Sequence, residues 1–328
     1  EVPRVPSLTD VEGILVGHYT FCERPTGCTV VTSLLPFTAG VDVRGGAPGT
    51  RETDLLKPEN TVEQINAVVL SGGSAFGLES AAGVSQYLES QGRGIRIGSI
   101  HVPIVCAAIL FDLNLGDAKI RPNAEAGFEA ARAATDAPVP EGNVGAGAGA
   151  TVGKLLGPEL AMKGGLGSWA ARLPDGLEVG ALAAVNCGGD VVDPASGRII
   201  AGARRSDGAG FADIMDHLGR GCAPASVFLE NTVIGIVAAN AVLTKSQCTK
   251  VAQMAQDALA RCIYPCHTPW DGDTIFTLST GRWVPGQRAI DIGVIGALAA
   301  DVLTKAILRG IEQAESWGSY PAARDYPN

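Results

Sequence analysis

Asn231 and Thr232 stand where a polar connection turns into the almost unbroken apolar run 233–242. A hydroxyl residue at the mouth of a buried strand has two readings. In the first it is structural, because threonine and valine are ordinary strand starters. In the second the Asn231–Thr232 bond breaks itself, and Thr232 becomes a new N-terminus. Its hydroxyl is then a nucleophile and its own amine the base. A free α-amine has a reference pKa of about 7.7–8.0, so a useful fraction is neutral near physiological pH. Lys154 closes a glycine-rich stretch, 142–154, and taken alone reads as a solvated charge; held charged beside that amine it would lower the amine's pKa further. Asn186, at the end of an apolar run, offers Nδ2–H as an oxyanion donor, and one such donor is typically worth about 2.7–4 kcal/mol in rate. Asp271 and Asp273, two apart where a strand begins, face the same side and are able to orient Thr232 and Lys154. On local chemistry alone they read as an Asp-Gly turn; their convergence with Thr232 and Lys154 favours a site.

Other motifs fail on inspection. The joint 71–78, Ser-Gly-Gly-Ser-Ala-Phe-Gly-Leu, has Phe76 where a nucleophile elbow needs glycine, and it lacks the dinucleotide fingerprint. What survives there is a set of backbone N–H groups at a helix start, around Gly73 and Ser74, able to hold an anion or oxyanion. The stretch before Lys154 has Ala148 and Leu155 where a phosphate loop requires glycine and a hydroxyl residue. Cys262-x-x-x-Cys266-His267 has no second pair at zinc spacing, and the other cysteines read as small buried hydrophobes. No metal or cofactor is expected.

The chain's 328 residues, 46% apolar and 18% charged, suit a globular protein with a large core, and the 43 glycines are scattered rather than periodic. A net charge of −9 without a basic stripe argues against nucleic acid or an anionic membrane as partner. No apolar run approaches the roughly 18 residues of a spanning helix. Glu1 opens the chain without a methionine, which leaves a removed leader, and with it the compartment, open.

The elements that must position these residues follow from periodicity. Strands are expected at 11–19, 28–34, 39–43, 66–70, 102–112, 177–185 and 275–278, with a hairpin over 190–200. Helices are expected after Leu78, over 124–135, within 207–221, over 245–262 behind a Thr244 cap, and over 289–311. The connection 222–230 is unpatterned, as an exposed cleavage site requires. Many buried strands with long helices outside them predict an α/β protein, a four-layer αββα sandwich, with a doubly wound parallel sheet as the alternative.

Several stretches recur in one family: GAGAGATVGK (145–154), ENTVIGIVAANAVLTK (230–245), HTPWDGDTIF (267–276), GGSAFGL (72–78) and VDVRGGAPG (41–49). Over residues 8–314 the chain resembles the self-processing aminopeptidases of the DmpA type, the L-aminopeptidase/D-amidase enzymes, and looks closest to their 6-aminohexanoate-oligomer (nylon) hydrolases. The resemblance implies an N-terminal-nucleophile-hydrolase-like sandwich, one catalytic domain cut into an α-chain (1–231) and a β-chain (232–328). It implies Thr232 as nucleophile in both self-cleavage and hydrolysis of a small linear amide or peptide, and assembly into a homotetramer. Lys154 and Asn186 match polar residues the family places beside the nucleophile. Asp271 and Asp273 match the acidic pair of the nylon hydrolases, where the β-aminopeptidase branch typically has a serine and a glutamate. Phe111 stands where relatives tend to carry a tyrosine, which removes a hydroxyl from the substrate side. Two other readings remain: an acyltransferase of the ornithine-acetyltransferase kind, and a non-catalytic anion-binding protein that stays a single chain.

Overall fold

In the computed structural model, which describes residues 5–208, 210–222, 231–284, 289 and 291–326, nine strands share one hydrogen-bonded sheet. They are β1 (Leu15–Thr20), β2 (Gly27–Val43), β3 (Thr50–Arg51), β4 (Gln64–Ser71), β5 (Val105–Ile109), β6 (Leu166–Arg172), β7 (Glu178–Asn186), β8 (Thr232–Ala239) and β9 (Thr274–Ser279). The order is β6-β7-β8-β9-β2-β4-β5-β3, with β1 on β2. The two strands expected at 28–34 and 39–43 are halves of the single strand β2. Its register against β4 shifts between Thr32 and Phe37, where Leu34, Leu35 and Pro36 turn outward to solvent. Proline breaks the ladder there without ending the strand. The first half of β2 pairs with β4 and its last residues with β9. The sheet thereby folds over on itself into two facing layers.

Period-two alternation divides each strand between two cores. Ile234, Ile236 and Ala238 of β8 join Val68 and Leu70 of β4 between the layers. Val233, Val237 and Ala239 face outward onto helices. On that side lie α4 (Lys245–Ala255), α5 (Asp257–Cys262) and α6 (Ile292–Glu312); α1 (Ser80–Ser90) and α2 (Ala124–Arg132) cover the opposite layer, and α3 (Ile214–Gly219) stands apart. The result is the αββα sandwich. A doubly wound sheet is excluded, since β8–β9 and β4–β5 are its parallel pairs and the other pairs are antiparallel.

Local chemistry sets the helix ends. Thr244 caps α4 in a reciprocal box with Gln247. Asp291 accepts from Gly293 N at 2.8 Å, so α6 starts at Ile292 rather than at 289. The single helix expected over 245–262 breaks at Gln256, whose buried side chain donates to the Asp42 carbonyl at 2.9 Å. Five of the eight cysteines (Cys28, Cys106, Cys187, Cys248 and Cys262) are buried as small apolar residues. The connection 222–230 lies outside the described residues from 223 onward.

Candidate active site

The register of two strand pairs assembles the site. β7 runs antiparallel to β8 with Asn186 opposite Thr232. β9 runs parallel to β8, and Asn231 bridges Asp271 just ahead of the paired region. Asn186, Thr232, Asp271 and Asp273 therefore meet at one end of the central strands. Lys154 arrives from a single turn, Lys154–Leu156, behind the short hairpin of Thr151–Val152 with Met162–Lys163. Its Nζ donates to Asn186 Oδ1 at 2.9 Å and to the Asn186 carbonyl at 3.1 Å. These five side chains are 5% exposed or less, as is Asn231.

The carboxylates are held by named donors. Asp273 Oδ1 accepts from Val233 N at 2.8 Å. Its Oδ2 accepts from His267 N at 3.1 Å and lies 2.9 Å from His267 Nδ1. Asp273 thus reaches Thr232 through the backbone of the next residue. Asp271 Oδ2 accepts from Thr268 N at 2.6 Å. Burial, and then the charge of Asp273, push the Asp271 carboxyl up to about 6, against the pull of Lys154.

The glycine-rich loop after β2 clasps this turn. Arg44 N and Gly45 N donate to the Asp273 carbonyl at 3.0 and 3.3 Å, and Ala47 N donates to that of Asp271 at 2.8 Å. Gly45 is obligatory for contact, since a Cβ there would lie 2.2 Å from Asp271 O and 2.5 Å from Asp273 N.

Around the Asn231–Thr232 bond the arrangement is that of an acyl group facing a hydroxyl. Thr232 Oγ1 donates to the Asn231 carbonyl oxygen. Gly272 N donates to the same oxygen at 2.9 Å, the distance an oxyanion donor requires. Asn186 Nδ2, the donor expected from sequence, gives one hydrogen bond to the Phe111 carbonyl at 3.1 Å, and Asn186 Oδ1 accepts from Lys154 and from Thr151 N. Phe111 is half-buried and joins the site through that backbone oxygen.

Gly73 and Ser74 are not aimed at this bond. Gly73 N donates to Asp112 Oδ1 and Ser74 N to the Leu110 carbonyl, each at 2.9 Å. The anion held at that turn is the protein's own Asp112, which also pairs with buried Arg24 at 2.8 Å and accepts from Thr26 at 2.6 Å. Sequence reasoning missed Gly272 and His267 as participants. A backbone N–H has no residue-type signal, and His267 was visible only beside Cys266 in the discounted zinc-like cluster and as the first letter of the HTPWDGDTIF block.

This sandwich, with polar side chains gathered at the mouth of its central strands, has the fold of the N-terminal-nucleophile hydrolases. The solved L-aminopeptidase/D-Ala-esterase/amidase of Ochrobactrum anthropi, a variant of that fold, superposes with a TM-score of 0.70 at 19% identity, over 97% of this chain and 90% of that one. The chain belongs to peptidase family S58, whose model matches residues 6–322. It is 40% identical to an uncharacterized aminopeptidase of Mycobacterium bovis over 97% of each chain. It is 27% identical to a 6-aminohexanoate-oligomer endohydrolase of Kocuria sp. over 91% of this chain and 84% of that one. The protein is accordingly a hydrolase of peptide or amide bonds.

Proposed function

We propose that the chain cuts itself between Asn231 and Thr232 and then hydrolyses linear amides with Thr232 as N-terminal nucleophile. The observation that carries this reading is the shared acceptor: the Asn231 carbonyl oxygen takes hydrogen bonds from both Thr232 Oγ1 and Gly272 N. Attack of Oγ1 on the Asn231 carbonyl carbon builds negative charge on an oxygen that already has a backbone donor. Collapse breaks the C–N bond, the proton passes to the departing nitrogen, and an ester to Oγ1 remains. Water cleaves that ester to an Asn231 carboxylate and a Thr232 free amine. In turnover the amine takes the hydroxyl proton as Oγ1 attacks a substrate amide, the substrate's amine departs, and water releases the acyl group.

Lys154, fixed by Asn186, keeps a positive charge near the new amine and favours its neutral form. Asp273 fixes the backbone beside Thr232, and Asp271 balances Lys154. For the substrate, the acidic pair and the endohydrolase relative support 6-aminohexanoate oligomers, cut internally as well as from the ends. An extended methylene chain gains about 0.8 kcal/mol per buried CH₂. A second reading is exo-acting aminopeptidase action on short peptides, favoured by the name carried by the relative at 40% identity.

Homotetrameric assembly is also proposed. It is supported by the exposed hairpin of Ile95–Ile97 with Ile100–Val102, whose register sets Ile95, Ile97, Ile100 and Val102 on one apolar face. Light scattering on the purified protein measures the mass directly, and a monomer at micromolar concentration ends that part of the proposal.

Denaturing electrophoresis tests the cleavage: active protein should give pieces 1–231 and 232–328, the smaller reading Thr-Val-Ile-Gly-Ile by Edman degradation. An intact chain in active protein would refute the reading. Chain-length analysis of products from a defined 6-aminohexanoate oligomer tests the substrate; monomer released only from the amino end supports the aminopeptidase reading instead.

A further inference from the structure

Lys154, Asp271, Asp273 and His267 are gathered at the end of β8 that carries Thr232, with the buried Cys187 thiol, held neutral by burial, among the charges of the first three. Lys154 and the two aspartates are 4% exposed or less, and the His267 side chain 16%. Two carboxylates with one lysine leave an excess negative charge away from water, which desolvation disfavours strongly. His267 has the geometry of the missing partner. Its Nδ1 lies 2.9 Å from Asp273 Oδ2, and its own backbone N–H donates to that same oxygen at 3.1 Å. The other oxygen, Oδ1, accepts from Val233 N, directly after Thr232. One line of hydrogen bonds therefore runs from the imidazole through Asp273 to the backbone of β8. His267 adopts φ +56°, a left-handed conformation that a non-glycine keeps only where its surroundings impose it. Here the double contact to Oδ2 imposes it.

We infer that His267 is a positioning residue for the Thr232 reaction, an imidazolium that pairs with Asp273 as Lys154 balances Asp271, and that it keeps the Asp273 carboxylate aimed at the Val233 N–H. The inference rests on Thr232 being the nucleophile. Burial by itself lowers the imidazole's pKa; the bond to Asp273 and its charge, with a contribution from Cys266, outweigh it and carry the group up to about 10. The charged and titratable groups around it are Asp273 at the entry to β9, Cys266 next in the chain, and beyond Asp273 the Asp271–Lys154 pair. Nε2 is buried without a partner among the described residues. That unmet group opposes the charge, and it is outweighed because leaving a buried carboxylate unpaired is the greater penalty.

The first test reads the charge directly. The protein has four histidines, and ¹⁵N or ¹³C NMR of their rings, with His267 assigned by its loss in His267→Asn, should show an imidazolium through pH 8. Titration near the ordinary value of about 6.5 would overturn the inference. The second test separates charge from geometry. Asparagine tolerates a positive φ and offers Nδ2–H to Asp273 but has no charge; alanine offers neither donor nor charge. Loss of a nearby cation raises the pKa of the Thr232 amine. In His267→Asn the acid limb of kcat/KM should therefore move up by about one pH unit, with turnover largely recovered at pH 9. His267→Ala should lose about tenfold or more at every pH. Identical acid limbs in wild type and His267→Asn would refute the inference. Wild-type protein that neither cleaves itself nor hydrolyses amides would defeat the Thr232 reading instead, and the NMR titration would still report on His267.

Discussion

Two oxygens of one carboxylate explain how Asp273 acts on Thr232 without touching it. Oδ1 holds Val233 N and Oδ2 holds two donors of His267, so an amide in its place must turn its NH₂ against an N–H. Asp273→Asn should thus lower turnover by about 10- to 100-fold while the chain still folds, the equivalent of a charged hydrogen bond worth about 1.5–3 kcal/mol. Circular dichroism alongside steady-state kinetics checks it; full activity would mean that Asp273 only shapes the turn. Thr232→Ala should abolish both self-cleavage and hydrolysis, and Thr232→Ser should keep some of each, because one oxygen serves both steps. A slow Thr232→Ser precursor also exposes the role of Asp271. Its carboxyl is raised to about 6 by burial and by Asp273, so it is protonated below that pH and no longer balances Lys154. Self-cleavage, timed on gels, should rise as pH passes about 6, a step that Asp271→Asn removes.

Elements matter here through the loops they bring into contact. The loop after β2 reaches the Asp271–Asp273 turn because Gly45 has no side chain. Gly45→Ala should push the two loops apart, break the bonds from Arg44, Gly45 and Ala47, and leave uncut precursor on a gel. On the other side, buried Lys163 donates to the carbonyls of Ala150 and Gly164, each at 2.9 Å, and so ties down the glycine-rich approach to Lys154. Lys163→Met should destabilise the fold by about 1–3 kcal/mol through carbonyls left without that donor. Burial lowers the Lys163 pKa from 10.5 to about 7. Its contribution is therefore full above about 10.5 and is lost progressively as pH falls from about 10.5 to about 7, because over that range the unfolded chain binds the proton more readily. Urea unfolding of wild type and variant should diverge most at high pH and converge toward neutrality.

At the scale of the molecule, cleavage after Asn231 would not separate the pieces. β8 and β9 come from the smaller product, yet β8 lies against β7 and β9 against β2, both from the larger one. Separation would open the sheet along both seams and expose the cores on either side of it. The two products should co-elute under native conditions and unfold in one transition. Two transitions by calorimetry would mean that the seams are weaker than their burial implies.

Much of this protein was legible in its sequence. The apolar run beyond Thr232 specified a strand covered on both faces, and Thr244 marked a helix start. Those features are local, encoded in side-chain periodicity and in which groups are able to cap. Thr232, Lys154, Asn186, Asp271 and Asp273 were drawn into one cluster by the family resemblance, since taken singly Lys154 reads as a solvated charge and the two aspartates as a turn. Tertiary structure decided the rest. Whether 28–34 and 39–43 are two strands or one depended on partners on both sides, and Pro36 resolves as a bulge because β4 and β9 take the two halves of β2. The direction of the Asn186 amide, the capture of Gly73 N by Asp112, and the Gly272 N–H on the Asn231 carbonyl are choices among hydrogen-bond partners far apart in the chain. Every residue but proline carries a backbone N–H, so sequence marks none of them; only the register of β7, β8 and β9 brings a particular one within reach of a particular oxygen.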